Sequence, residues 1–263
     1  MTGRTPPEGV FLDIDGVLTV SWEPLPGAVE IVEWLQRSSV PFLLLTNTTT
    51  PGRRGLAELL WRAGFDVSPD EIVTAAVATA AYLRTEHPGA KCFLLGEPDV
   101  GNDFDGVEFV QERADVVVVA GADDAFTWAN LSKALQMLRS GASLVAMHRN
   151  MTWMTADGLK LDAGAFLMGL EEASGVRATV IGKPNAGFFR QALNMLRLEA
   201  PRVAMVGDDV ETDVIAAQRV GLTGVLVRTG KFDSEQVQSA SPAPHHVVDS
   251  VADLPRLLEA LRK

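Results

Sequence analysis

The sequence predicts an α/β fold, a parallel sheet covered on both faces by helices. Three observations carry that prediction. Short apolar, β-branched runs alternate with amphipathic stretches along the chain. The runs are continuous rather than alternating in polarity, as in strands buried on both faces. The composition, 47% hydrophobic and 22% charged over 263 residues, supplies a core for one large domain or two modest ones.

Taken in order, Val10–Asp13 reads as a buried strand ended by polar residues and Gly16. Pro26 and Gly27 open a helix over Ala28–Arg37, with Val29, Val32 and Leu35 near helical spacing. Pro41–Leu45 is a second strand ending at Thr46-Asn47, and Arg53–Ala63 a second helix closed by Gly64. The middle repeats the alternation, with strands at Cys92–Leu95, Asp115–Ala120 and Ser143–Met147 and a helix at Trp128–Arg139. Three further strands, Ala178–Ile181, Arg202–Val206 and Gly224–Val227, are separated by helices at Ala186–Leu198 and Glu211–Val220. Periodicity leaves two arrangements open, one continuous sheet or a discontinuous domain carrying an insertion.

Charge and cysteine content narrow the function. The net charge of −11, from 23 basic and 34 acidic residues, argues against a nucleic-acid surface or an anionic membrane as partner. The single Cys92 makes neither an internal disulfide nor a cysteine zinc site, and reads as a buried, inert thiol. No stretch approaches the ~20 apolar residues of a membrane span. Asp13 and Asp15 interrupt the early apolar run, so it does not read as a signal peptide, and a cytoplasmic enzyme or binding protein is expected.

Chemistry-bearing residues gather at the strand ends. In Asp13-Ile14-Asp15-Gly16, period-two alternation sends both carboxylates to one side at the carboxyl end of a strand, where parallel sheets place ligands. The two acids repel each other and gain from a metal or proton to share; a pair of solvated turn aspartates is the plainer alternative. A second group, Gly207-Asp208-Asp209-Val210-Glu211-Thr212-Asp213, follows another strand. Helix capping by Asp208 or Asp209 explains some of these acids, but not why both clusters end strands. Together the two acidic clusters offer the hard oxygens that Mg²⁺ takes, with water and phosphate completing the shell. Thr46-Asn47 places a hydroxyl and backbone N–H groups where an anion could bind, or caps a helix. Lys183, in Gly182-Lys183-Pro184, is either a surface charge or the one cation at these strand ends. The segment is not a Walker loop, because Pro184 stands where that motif needs Ser or Thr.

The order Asp-x-Asp, Thr, Lys, Gly-Asp-Asp-x-x-x-Asp, each after a strand, resembles the haloacid dehalogenase (HAD) superfamily over Phe11 to Asp213. Asp13–Leu18 is similar to the phosphatase form of the first motif, since dehalogenases proper lack the acid at Asp15. Leu45–Thr49, Thr74–Thr79, Gly182-Lys183-Pro184 and Val227–Lys231 resemble subfamily IIA, the NagD and p-nitrophenylphosphatase-like branch. Within it the pattern is most similar to the HAD-like domain-containing-2 and phospholysine/phosphohistidine/inorganic pyrophosphate phosphatase group.

The resemblance implies a HAD-type Rossmann-like parallel sheet core, residues 1–75 and 177–263, with an inserted α/β cap over 76–176. It implies an Mg²⁺-dependent phosphatase acting on small phosphomonoesters through an aspartyl-phosphate. Asp13 would be the nucleophile and Asp15 the acid and base. Thr46, Asn47 and Lys183 would bind the phosphoryl group. Asp13 and Asp208 would ligate Mg²⁺ by their side chains and Asp15 by its backbone carbonyl, with Asp209 and Asp213 standing behind these ligands, Asp213 holding Lys183 or a metal-bound water. The implied partner is a small phosphorylated metabolite, and a homodimer is left open. The alternatives are a pyrophosphate or phosphoamino-acid phosphatase, or a non-catalytic phosphometabolite sensor. A receiver domain, which also places Asp, Thr and Lys at strand ends, is too small for this chain. Where many subfamily members carry Thr-Asn-Pro-Asp, this chain has His148–Met154. There Arg149 reads as a surface charge, with contact to an anionic leaving group as the alternative, and Trp153 reads as cap core.

Overall fold

The computed structural model describes residues 5–122, 124–155 and 158–262, and within these all side chains but those of residues 153–155 and 159. By its contacts the chain parts into two compact units. The first runs to Thr46, resumes over Ala57–Val73 and again from Lys183 onward; the second comprises Asn47–Leu56 and Thr74–Gly182.

The first unit holds a six-stranded sheet in the order His246–Val248, Thr223–Val227, Val203–Gly207, Gly9–Leu12, Phe42–Thr46, Ile72–Thr74. The strand pairs from Phe42–Thr46 across to His246–Val248 are parallel. All four residues of Gly9–Leu12 and all five of Val203–Gly207 are buried, which is why their sequences are unbroken apolar runs. The helix Ala28–Arg37 falls where its spacing predicts, burying Ala28, Ile31, Val32 and Leu35 as one stripe. The chain leaves Gly9–Leu12 toward Phe42–Thr46 on one side and returns at Val203–Gly207 on the other. That reversal opens a crevice at the carboxyl ends of these three strands, the usual ligand position in such sheets.

The second unit has its own sheet, Thr179–Val180, Ser143–Ala146, Val116–Val119, Lys91–Leu95, Glu108–Phe109 in spatial order, with every pair parallel. Its core joins Phe93, Leu95, Val117, Val119 and Leu144 to Ala134 and Leu138 of the helix Trp128–Arg139 and Leu167 of the helix Ala163–Ser174. A two-stranded antiparallel ribbon pairs Thr152–Thr155 with Gly158–Leu161. Cys92 is buried as expected, and burial pushes its thiol up to about 11.

Several elements depart from the sequence reading. The strand before Lys183 is only Thr179–Val180, and it pairs with Ser143–Ala146 of the second sheet, not with the strands that end in acids. Ile181 and Gly182 continue this ladder by donating to the carbonyls of Ala146 and Met147, so Lys183 begins the first unit rather than ending one of its strands. The helix expected at Glu211–Val220 begins as a wide π-turn over Val210–Ile215 and becomes α only at Ala216–Val220. The N–H groups of Asp213 and Val214 both reach back to the Asp209 carbonyl, which produces the bulge. The helix Ala75–Glu86 and the edge strands Glu108–Phe109 and His246–Val248 are too alanine-rich or too short for periodicity to show.

Candidate active site

The crevice of the first unit is built on backbone continuity. The Asp13 N–H donates to the Val206 carbonyl at 2.9 Å, extending the central ladder one residue beyond the strand, and its side chain emerges at the sheet's carboxyl edge. The chain then turns sharply over Ile14–Thr19, with Leu18 and Thr19 N–H groups donating to the Ile14 carbonyl and Gly16 at φ +83°. Asp208 leaves the neighbouring strand at the same edge.

Lys183 ties the acids together. Its Nζ lies 2.6 Å from Asp13 Oδ1, 2.7 Å from Asp213 Oδ1 and 3.1 Å from the Leu45 carbonyl. These three acceptors hold the ammonium between the two acids. Asp213 is further held by the Asp209 N–H at 3.3 Å, while the Asp209 side chain accepts from the N–H groups of Glu211 and Thr212 as the cap of the π-turn.

Burial and charge set the titration. Burial pushes the Asp13 carboxyl upward against the pull of Lys183, and nearby Asp15 adds to the rise. Burial also raises Asp213, to about 6, although Lys183 opposes it. Asp208 is raised to about 8, by burial first and then by the charges of Asp13 and Asp213. Burial alone would lower Lys183, but Asp13 and Asp213 more than offset it and hold the ammonium above the ordinary lysine range.

The carboxylates that converge are Asp13, Asp208 and Asp213, whose oxygens lie within 4.8 Å of one another. The Asp15 carboxylate is not in this group, and the role at the metal that the resemblance implies for Asp15 runs through its backbone carbonyl. Asp213 comes in because the π-turn folds it over Gly207, where a Cβ would sit 2.2 Å from the Asp213 Cβ. One buried atom in the cluster, Asp208 Oδ1, has no hydrogen-bond partner among the described residues. Its other oxygen accepts the Lys231 N–H at 2.8 Å. A buried carboxylate oxygen without a donor, beside two further carboxylates, is a good fit for a hard divalent cation.

Thr46 ends the strand beside Asp13 and is buried. Asn47 groups by its contacts with the second unit, where a Cβ on Gly182 would lie 2.5 Å from its Oδ1. Arg149 is not a free surface charge: its guanidinium grips the buried Glu171 carboxylate at 2.5 and 2.9 Å. The Trp153 side chain lies outside the described residues. The sequence analysis marks Val227–Lys231 only as a family motif and gives it no role in the site, where Thr229 Oγ1 donates to the Gly16 carbonyl at 2.5 Å and the Lys231 N–H donates to Asp208. Its signal was present in Thr229-Gly230-Lys231, but no local chemistry marks those residues until the strands are aligned.

Two family models match, one described as haloacid dehalogenase-like hydrolase over residues 10–110 and one as HAD-hydrolase-like over residues 180–254. The chain is 35% identical over 250 residues to haloacid dehalogenase-like hydrolase domain-containing protein 2 of Bos taurus, covering 95% of each. The chain belongs to the haloacid dehalogenase-like hydrolases. This hydrolase is also 35% identical over 256 residues to phospholysine phosphohistidine inorganic pyrophosphate phosphatase of Rattus norvegicus, covering 95% of its own length and 93% of the relative. Among solved structures, 4-nitrophenylphosphatase of Thermotoga maritima superposes with a TM-score of 0.89 at 30% identity, covering 95% of this chain and 97% of that one. NagD of E. coli K-12 gives 0.87 at 29% identity, with 95% and 98% covered. The subfamily resemblance read from the motifs is therefore shown, and the chain is a hydrolase acting on phosphate esters. No helix of the described residues is long and apolar enough to cross a membrane.

Proposed function

We propose that this hydrolase cleaves small phosphomonoesters in two steps through a phosphoryl group carried on Asp13, with Mg²⁺ as its metal. The observation that carries the reading is the Asp13 carboxylate at the carboxyl end of the central strand, one oxygen fixed by Lys183 at 2.6 Å. That contact leaves the other oxygen to attack, and it fixes the angle of attack. In the first step the Asp13–phosphorus bond forms, the ester oxygen–phosphorus bond breaks, and the leaving oxygen takes a proton from Asp15. In the second, Asp15 takes a proton from water, which attacks phosphorus and releases Asp13 and inorganic phosphate. Thr46, Asn47 and Lys183 would bind the phosphoryl oxygens, where charge gathers in a loose transition state. Asp13, the orphaned Asp208 Oδ1 and the Asp15 carbonyl would hold Mg²⁺, which supplies positive charge against the phosphoryl oxygens. Asp213 keeps Lys183 in place behind them, and Asp209 does the same for Asp213.

The relative named as a phospholysine, phosphohistidine and pyrophosphate phosphatase supports a second reading, in which the bond cleaved is P–N or P–O–P. The leaving group separates the two. Asp15→Asn should slow an alkyl phosphate far more than an activated aryl phosphate, whose oxygen needs no proton. The test is turnover of both substrates with Mg²⁺ and after chelation. Equal losses for the two substrates would remove Asp15 as the acid, and turnover unchanged by chelation would remove the metal.

A further inference from the structure

We infer that Thr229 is a positioning residue of the metal site, whose hydroxyl holds the Asp15–Gly16 turn while the same loop holds the Asp208 carboxylate. Two groups read as metal ligands, from different strands, are thereby set by one loop. This rests on the reading of the Asp13 crevice as the site of phosphoryl transfer with a bound divalent ion.

Gly16 is the loose joint of the turn after Asp13. At φ +83° it holds one of the many conformations open to glycine, so its own backbone does not set where the preceding Asp15 carbonyl points. Hydrogen bonds set it. The Gly16 N–H donates to the Thr19 carbonyl at 2.7 Å, and a planar trans peptide sends the Asp15 carbonyl the opposite way. The peptide after Gly16 is held at its N–H only by a long contact, Val17 to the Ile14 carbonyl at 3.4 Å. Its oxygen accepts the Thr229 hydroxyl at 2.5 Å. That short bond is the firm restraint on the far side of the joint.

The bond also bridges a strand. Thr229 follows Thr223–Val227 and Gly16 follows Gly9–Leu12, with Val203–Gly207 between them, and Asp208 comes next after that middle strand. The Asp208 carboxylate is caught in the span. A Cβ on Gly16 would stand 1.9 Å from Asp208 Oδ2, and one on Gly230 2.0 Å from it, so the oxygen fits only between two glycines. There it accepts the Lys231 N–H at 2.8 Å, and the Phe232 N–H closes the loop on the Thr229 carbonyl at 3.2 Å. With Oδ2 seated, the carboxylate presents Oδ1, the buried oxygen that has no hydrogen-bond partner among the described residues. Ligands held in place beforehand bind a metal more tightly, because little ordering is left for the binding step.

The test measures Mn²⁺, a hard divalent probe, by the electron paramagnetic resonance signal of the free ion over the full chain. Thr229→Val removes the donated proton and nearly keeps the shape. It is expected to raise the Mn²⁺ Kd about fivefold, the net worth of one hydrogen bond. Thr229→Ser keeps the donor and should stay within about twofold of wild type. Gly230→Ala forces Asp208 Oδ2 to move and should weaken binding further. With p-nitrophenyl phosphate, the Mg²⁺ concentration for half-maximal rate should rise in step in Thr229→Val, while kcat at saturating Mg²⁺ changes less than about twofold. A merely structural role would lower the metal-free thermal midpoint and leave the Kd at its wild-type value. That result, no rescue by serine, or a wild-type Kd in a folded Gly230→Ala would each overturn the inference. A wild-type protein that binds Mn²⁺ in a Thr229-dependent way yet turns over no phosphate ester would instead defeat the phosphoryl-transfer reading and leave Thr229 standing.

Discussion

The two sheets of this chain are built alike and used differently. Each is parallel, with apolar strands of the kind Val203–Gly207 and Val116–Val119 represent, both fully buried. At the strand ends the likeness stops. The first sheet gives way to Asp13, Thr46 and Asp208. The second gives way to Gly96, Gly121 and His148, and Asp13, Asp208 and Asp213 form the one metal-competent group found among the described residues. Buried charge follows the same division. In the second unit Glu171 is matched by Arg149, with Arg177 at 3.6 Å, and accepts the Ala178 N–H at 2.8 Å. In the first, the Lys183 ammonium pairs with two of three clustered carboxylates, Asp13 and Asp213, and Asp208 Oδ1 has no hydrogen-bond partner among the described residues. A balanced network holds a fold together, whereas an unbalanced one calls for a ligand. The architecture supplies strand ends, and the residues placed there supply the chemistry.

That contrast predicts opposite responses to removing a charge. The largest effect should come from Asp13→Asn, which keeps the side chain's shape but removes the attacking oxygen. Turnover of an aryl phosphate should fall about a thousandfold or more while the thermal midpoint stays or rises. Retained turnover in the folded variant would take the nucleophile away from Asp13.

Next comes the balanced network. Glu171→Ala strands Arg149 and the Ala178 N–H, and should cost about 2 kcal/mol, less than a fully buried pair because Arg149 is 41% exposed. The Arg149 hydrogen bonds hold the Glu171 carboxyl below its ordinary 4.5, against the upward push of burial. The contribution is therefore complete above that value and is lost as pH falls through the depressed one. Chemical denaturation from neutral pH down to about pH 3 should show the gap between wild type and Glu171→Ala narrowing on the acid side. A gap independent of pH would mean that packing, not the ion pair, holds this corner.

The smallest effect has the reverse sign. Asp208→Asn, without added metal, should stabilise the protein at neutral pH by about 1 kcal/mol, because the raised Asp208 carboxyl must take up a proton on folding and the amide need not. With Mg²⁺ the order should invert, since the wild type alone gains from binding. Thermal melts of both proteins with and without the ion check this, and a wild type indifferent to Mg²⁺ would contradict the site.

Much of this was legible in the sequence. The strands at Gly9–Leu12, Phe42–Thr46 and Val203–Gly207 announce themselves because burial on both faces forces continuous apolar runs, and the acids that end two of them stand out for the same reason. The place of Asp213 was less legible, because it depends on a π-turn that a 3.6-residue period does not encode. Likewise the strand before Lys183 pairs in the second sheet, since two residues carry too little pattern to say which neighbour they join. The tie between the Val227–Lys231 loop and Asp208 was not legible, because it runs through the Lys231 backbone N–H, which any residue but proline would offer.

The most direct test of the central claim is to find the transferred phosphoryl group on the protein. A chain turning over an aryl phosphate with Mg²⁺ is quenched in acid, digested and mapped by mass spectrometry. The account predicts one phosphoryl increment on the peptide bearing Asp13, lost on treatment with hydroxylamine as an acyl phosphate should be, and missing from Asp13→Asn. A phosphoryl group on another residue, or single-step transfer to water with inversion at phosphorus, would contradict it.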